Sequence, residues 1–360
     1  MFSLTELNNR FQGVQMAQRS AVVLSKGPRF QVSKGLLTVL VSTVVLFVLS
    51  AIVAPTSVSP GPLGSMIPFA AILAIVGLGQ MLVIQQAGID LSVPGSVSLA
   101  AVIVSALPEL EDSQLLPAVI ISLLAAIAIG VFNGFLIGFL KLNPIIATLG
   151  TNSLLFGFVM LITQGIPRMT TALLLSIVSG STSGIPNSVF FAVAVLLVVI
   201  FVLRKTAAGR RFESIGASAP VAMVSGLRIK THQAMAYVWA QILYAIAGIM
   251  IAGVISEPNG TMGNAYLLPS VAVVVLGGTS LLGGRGLPTA TVIAAVFLSQ
   301  LDQFVLALGV NFAIRTLVQA AALAIGVAIY TVNWSRVRSL LSKLLPTSSR
   351  GEHQTSLPTA

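Results

Sequence analysis

Residues 204–231, RKTAAGRRFESIGASAPVAMVSGLRIKT, carry six basic side chains against one acid, Glu213. Stretches free of Asp, Glu, Lys and Arg flank them on both sides, at 169–203 and 231–256. Each exceeds the ~20 residues that an apolar helix needs to cross a hydrocarbon core of ~30 Å. That juxtaposition decides the fold: helices cross a membrane and a basic loop emerges between them. The loop has helix signals of its own. Ser218 stands where an N-cap would, Pro220 suits a first turn because its missing N–H has no intrahelical partner there, and Gly226 can take the left-handed conformation that ends a helix. The pattern predicts a capped helix of about two turns, a handle for another protein. A basic linker lying on anionic membrane lipid is the other reading of the same charges.

Composition agrees. Of 360 residues, 56% are hydrophobic and 8% charged, against ~25% charged in an average soluble domain, which excludes a water-facing globule. Further charge-free stretches cover 35–89, 113–140 and 258–284, and none alternates polar with apolar residues as barrel strands do. The expected fold class is therefore all-α, a polytopic helical bundle. A net charge of +10 raises nucleic acid as a partner, but the basic residues sit in short segments between spans, which topology explains and a binding stripe does not. With no cysteine, disulfides and thiolate chemistry are absent.

The expected spans are 35–54, 64–86, 93–108, 116–140, 144–164, 188–203, 232–254, 267–283, 287–303 and 307–332. Ten spans with both termini in the cytoplasm place 17 of the 19 basic residues inside, while Glu109, Glu111, Asp112, Glu257 and Asp302 fall outside with Arg168. Residues 1–34 then read as an uncleaved cytoplasmic tail, 35–332 as the membrane domain and 333–360 as a second tail. GIDLSVPGS before the third span and LGGTSLLGGRGLP between the eighth and ninth predict broken or re-entrant helices, which persist at membrane depth only where protein or a wet cavity satisfies the backbone. Ser122, Ala126, Gly130, Gly134 and Gly138 recur every fourth residue, a smooth stripe for close helix packing, expected within the chain.

Two charges lie in or beside the spans without an interfacial excuse. Asp90 is read either as a cap for the third span or as a gate, and Arg315 as a side chain snorkelling to the outer interface. No G-x-x-x-x-G-K-[ST], H-E-x-x-H or G-x-S-x-G occurs, and neither His232 nor His353 has the neighbours of a metal ligand. Ion-coupled transport through Asp90 stays open, though such carriers usually hold several buried carboxylates. The polar residues of the spans are mostly amides and hydroxyls, among them Gln80, Gln85, Gln86, Asn133, Asn143, Thr148, Thr151, Asn152, Thr279, Ser280 and Gln300. Such groups suit a neutral polyol, and equally glue helices together.

Four stretches, GIDLSVPGSVSLAA (88–101), LNPIIATLGTNSLLFGFVMLITQGIP (142–167), GRRFESIGASAPVAMVSGL (209–227) and LPSVAVVVLGGTSLLGGRG (268–286), come in an order and spacing that resembles the permease subunits of bacterial ABC importers of the ribose, xylose, arabinose and galactoside type. The resemblance covers about residues 36–332. It implies a non-enzymatic inner-membrane subunit that pairs with a second copy, binds two cytoplasmic ATPase subunits that hold the ATP, and receives solute from a periplasmic binding protein; no cofactor belongs to the chain itself. It further implies that 204–231 is the coupling loop, with Glu213, Ile215, Gly216, Pro220, Ala222 and Gly226 at the ATPase interface. Val221 and Val224, three residues apart, would share a face toward it. Asp90, Asn143, Thr148, Thr279 and Ser280 are the candidates for the pathway or its gate. The chain departs from the usual pattern at Pro94, Ala217, Ser218 and Asp302, and permeases for nucleosides or branched-chain amino acids remain alternatives.

Overall fold

An apolar helix is stable in a membrane whether protein or lipid surrounds it, but its backbone must be satisfied throughout, and these two conditions sort the segments of this chain. In this computed structural model, residues 34–311, 313–318, 320, 321 and 324 are described. Residues 1–33 of the tail expected at 1–34, the tail expected at 333–360, and much of the span expected at 307–332 lie outside the described residues, while Lys34 opens the first helix.

In chain order the helices are α1 (Lys34–Val53), α2 (Pro60–Gln85), α3 (Val93–Ala106), α4 (Leu115–Gly134), α5 (Pro144–Thr163), α6 (Ala172–Ser179), α7 (Asn187–Lys205), α8 (Ala207–Ala217), α9 (Ala219–Val224), α10 (Ile229–Ile255), α11 (Leu267–Leu276) and α12 (Pro288–Ala307). A two-residue hairpin, β1 (Ser181–Thr182) against β2 (Ile185–Pro186), joins α6 to α7. Neither α6 nor the hairpin was expected from sequence, because a stretch with no charge from 169 to 203 hides where its helices stop. Among the described residues seven helical stretches are long and apolar enough to cross a membrane, and two, Val93–Ala106 and Met262–Leu276, are shorter. The fold is all-α and polytopic, as expected.

α2 is buried on every side from Ala70 to Gln85, and α3 from Val93 to Ser105. With α10 they form the core, and α11 and α12 pack against α2. α1, α5 and α7 turn apolar faces outward through Val44, Ile52, Ile146, Leu161, Leu197 and Phe201. The glue role of span amides is visible where Gln300 donates to the Ser50 hydroxyl at 3.1 Å, tying α12 to α1.

The two glycine-rich interruptions appear as expected. α3 rises only about 21 Å at 1.5 Å per residue, short of the bilayer core. The eighth span is shorter than the 267–283 expected: α11 stops at Leu276, preceded by a 3-10 turn at Met262–Tyr266. Gly278, Gly283 and Gly284 then adopt positive φ, a run of left-handed residues that no helix can continue through.

The small-residue stripe of α4 meets α10 of the same chain. A Cβ on Gly134 would stand 2.8 Å from the Ala234 carbonyl oxygen, and one on Gly130 2.5 Å from Val238 Cα. Backbone, which cannot rotate away, forms the wall. Gly134→Val is expected to overpack this seam at a cost of about 1–3 kcal/mol, read as a lowered unfolding midpoint of the detergent-solubilised protein; Gly150→Val, with nothing within 4 Å of its Cβ position, should leave the midpoint unchanged.

Candidate functional site

Two regions hold most of the residues singled out above. The first is the loop between α7 and α10, which folds as two helices rather than one. Thr206 starts α8, its hydroxyl accepting the Gly209 N–H at 3.0 Å. Ser218 occupies the start of α9, but its side chain makes no capping bond there; its carbonyl takes the Ala222 N–H at 3.0 Å instead. The expected stop signal is present. Gly226 has φ +77, the Leu227 N–H reaches the Ala222 carbonyl at 3.0 Å and the Gly226 N–H reaches Met223 at 2.9 Å, the paired bonds of a Schellman cap.

Burial divides the residues expected at the ATPase interface into two sets. Ile215 is 1% exposed and Ala222 3% exposed, so they face the bundle and seat the loop rather than meet a partner. Gly216 abuts the Gln85 carbonyl, so closely that a Cβ there could not fit. Pro220, Val221, Met223, Val224 and Gly226 face outward, Val224 being 91% exposed. Glu213 is partly buried beside Arg204, with Oε1 3.8 Å from Nε. Its burial pushes the carboxyl above its ordinary value, and the guanidinium acts against that rise.

The second region is the start of α3. A helix beginning inside a membrane leaves its first N–H groups without partners. Here side chains from elsewhere supply them: the Leu91 N–H goes to Thr148 Oγ1 at 2.9 Å and the Gly95 N–H to Asn152 Oδ1 at 2.8 Å, both on α5. Asp90 Oδ1 accepts the Ser92 N–H at 2.8 Å and the Ser92 hydroxyl at 2.5 Å, while its Oδ2 accepts the Gln241 amide at 3.1 Å. Ser92 Oγ in turn accepts from Gln241 at 2.8 Å and from Asn133 at 3.1 Å, and Thr151 donates to Asn133 Oδ1 at 2.5 Å. The Gln80 amide, with its nitrogen toward the Asp90 carbonyl, brackets the Asp90 peptide at 3.3 Å on both sides.

Asp90 is fully buried and three donors converge on it, which favours the capping reading: the carboxylate closes a turn into α3 and fastens it to α10, with Ser92 linking on to α4 and α5. Thr148 belongs to the same junction, whereas Asn143 is exposed and caps α5, its Oδ1 taking the Ile145 N–H at 2.9 Å. Thr279 and Ser280 lie apart from both, after α11. Thr279 is buried with its hydroxyl 3.4 Å from the Leu287 N–H, and Ser280 is exposed. Arg315 is paired with Asp302, its Nε 2.9 Å from Oδ1. Gln241 escaped the sequence reading. It is one of two amides in the 231–256 stretch, with Gln233 near the edge, and nothing else marked it. No cluster of acids, histidines or cysteines among the described residues could hold a metal.

The family of branched-chain amino acid transport system permease components matches residues 63–332. The chain belongs to this permease family. A probable ABC transporter permease of Sinorhizobium fredii is 30% identical over 78% of this chain and 85% of its own length. The ribose import permease of Bacillus subtilis is 30% identical over 79% and 88%, and the autoinducer 2 import system permease of Salmonella paratyphi B 32% identical over 74% and 77%. No solved structure matches. The permease is thus a multi-pass inner-membrane subunit of an ABC importer and not an enzyme, with ATP hydrolysed in separate subunits. Its partners include those ATPases and a substrate-binding protein.

Ser92→Ala removes one donor to Asp90 and the acceptor of two amides, all in the permease interior. Leaving buried groups unsatisfied is expected to cost about 1–3 kcal/mol, measured as a fall in the unfolding midpoint. For Glu213 the raised folded value means that the seated loop binds the proton more tightly than a free one, so stability falls as pH rises from about 4.5, the ordinary value, through the raised one. Glu213→Gln should flatten the midpoint over that interval, and an unchanged slope would contradict the assignment.

Proposed function

We propose that this permease moves a monosaccharide or related neutral solute inward and that residues 204–231 form the cytoplasmic surface on which its ATPase acts. The observation that carries the docking assignment is the outward face of α9, where Val221, Met223 and Val224 stand in solvent on a capped helix whose other side, through Ala222, is locked to the bundle. An apolar face on a rigid, basic, extramembrane element suits a groove on a partner, as helix-in-groove recognition requires. The positive-inside count supports a cytoplasmic setting for it.

A sugar is favoured as the solute because relatives matched over 77% and 88% of their own length carry autoinducer 2 and ribose import in their names, and the interior of this chain agrees. Among the described residues Asp90 is the only buried acid, and with three donors occupying it, it has no free role as an ion carrier. The family assignment already places the energy source in ATP. The functional unit is taken to be two copies of the chain, as the resemblance of its motifs implies, embedded in lipid through the exposed faces of α1, α5 and α7.

The test is reconstitution in lipid vesicles with the cognate ATPase and binding protein. ATP-dependent uptake of a pentose or related sugar is expected, and uptake driven by a proton or sodium gradient without ATP would overturn the reading. Val224→Asp should place a charge in the desolvated contact and weaken ATPase binding by about 2 kcal/mol or more, roughly 30-fold, measured by co-purification and titration. Wild-type affinity in that variant would remove α9 from the interface.

A further inference from the structure

The glycine-rich stretch 277–287 has no role in the docking face or in the Asp90 network, yet it touches the foundations of both. We propose that Gln85, Gln86, Gly216, Gly283 and Gly284 form a mechanical joint that passes displacement of the coupling segment to the break between α2 and α3, with Gln86 a positioning residue for transport. This rests on the reading of 204–231 as the ATPase contact.

At the foot of α2 three separate segments meet on one carbonyl. Gln85 O accepts the Gly284 N–H at 3.0 Å, and Gly216, at the end of α8, presses on that same oxygen with no room for a Cβ. A Cβ on Gly283 would stand 2.9 Å from Gly216 O and 3.1 Å from Gln85 O. Backbone therefore touches backbone among α2, α8 and the glycine stretch, which is the stiffest contact a protein can make, because no side chain intervenes to yield. Two side chains brace it. Gln86 Nε2 donates to the Phe212 carbonyl of α8 at 2.9 Å, and Arg204 Nη2 donates to the Gly286 carbonyl at 3.4 Å. Asp90 follows Gln86 by four residues, so a shift of α8 against this joint acts on the turn that anchors α3. Gln86 also lines a cleft of about 280 Å³ with Lys141, Gln233 and Tyr237, whose mouth would change with the same shift.

A second observation points to two positions rather than one. The Gln85 side-chain amide is fully buried and neither its nitrogen nor its oxygen has a hydrogen-bond partner. An orphaned buried amide penalises the arrangement that contains it. A joint that moves has a second arrangement in which that amide is paired, and the penalty keeps the present one from being a trap.

The experiment uses the complete importer in vesicles and reads ATP hydrolysed per solute delivered. Gln86→Leu removes the bond to α8 without adding bulk; the ATPase should still co-purify, and the ratio should rise about fivefold or more, the low end of ordinary coupling between sites. A wild-type ratio overturns the proposal even if both rates fall together, since loss of folded complex lowers both equally. Should Gln86→Leu fail to assemble, Gln85→Leu decides. Removing the orphaned amide should raise the unfolding midpoint of the present arrangement while slowing uptake, and any other combination overturns the joint. The docking face fails separately, through unchanged ATPase binding in Val224→Asp.

Discussion

The structure depends on a helix that starts inside the membrane. α3 cannot borrow water for its first N–H groups, so every one that is free must find a protein acceptor or cost several kcal/mol in hydrocarbon. The chain meets this with Thr148 and Asn152 from α5 and with the carboxylate of Asp90. Burying that carboxylate in turn demands donors, which Ser92 and Gln241 supply. One break in one helix thereby dictates polar residues on α2, α4, α5 and α10, and those residues fix how the four helices pack. The smooth stripe of α4 follows from the same demand: Asn133 reaches Ser92 only because Gly130 and Gly134 let α4 lie against the backbone of α10.

A bundle pinned in this way is rigid where it is polar and slippery where it is apolar. Its outward faces are largely apolar, through residues such as Val44, Ile52, Leu161 and Phe201, so neighbouring helices gain little by any one arrangement there. The places where force can enter are the extramembrane ends. α8 and α9 are seated by Ile215, Phe212 and Ala222 and show solvent an apolar ridge, a combination that a loop merely resting on lipid headgroups has no need of. Leu282, within the glycine-rich stretch and 89% exposed, lies beside this seat through the contact of Gly283 with Gly216.

Much of this was legible in the residues. Span positions followed from charge-free length, and α1, α2, α5, α10 and α12 begin and end within a few residues of expectation, because proline, glycine or charge stands near most of their ends. Gly226 announced its positive φ, and the two glycine-rich interruptions announced broken helices. Other features were hidden for physical reasons. Arg210 and Arg211 disguised α8 as loop, although Phe212 and Ile215, three residues apart and buried, mark an amphipathic face. The cap of Ser218 was plausible locally and is overridden by the seating of α9. Ile215 and Ala222 face inward because the loop folds back on the bundle, which no one-dimensional pattern records. Asp302 and Arg315 looked like separate interfacial charges and are partners 2.9 Å apart; their pairing depends on a turn at Gly309, where φ is +74.

Energy for transport cannot originate inside a bundle built like this one. A carrier driven by an ion gradient needs a buried group that changes charge or coordination between its two states. Asp90 is held by three donors on a turn that secures four helices, so emptying or protonating it would dismantle the anchor rather than turn a gate. The remaining interior groups on the described spans are amides and hydroxyls, which bind the helices to one another and carry no charge to exploit. Work must then arrive as displacement at a surface, and a displacement is useful only if stiff contacts carry it inward without dissipation. Backbone packed on backbone at Gln85, the glycines around it, and a carboxylate-locked helix start just beyond satisfy that requirement in sequence, which is what the proposed joint asks of the glycine-rich stretch.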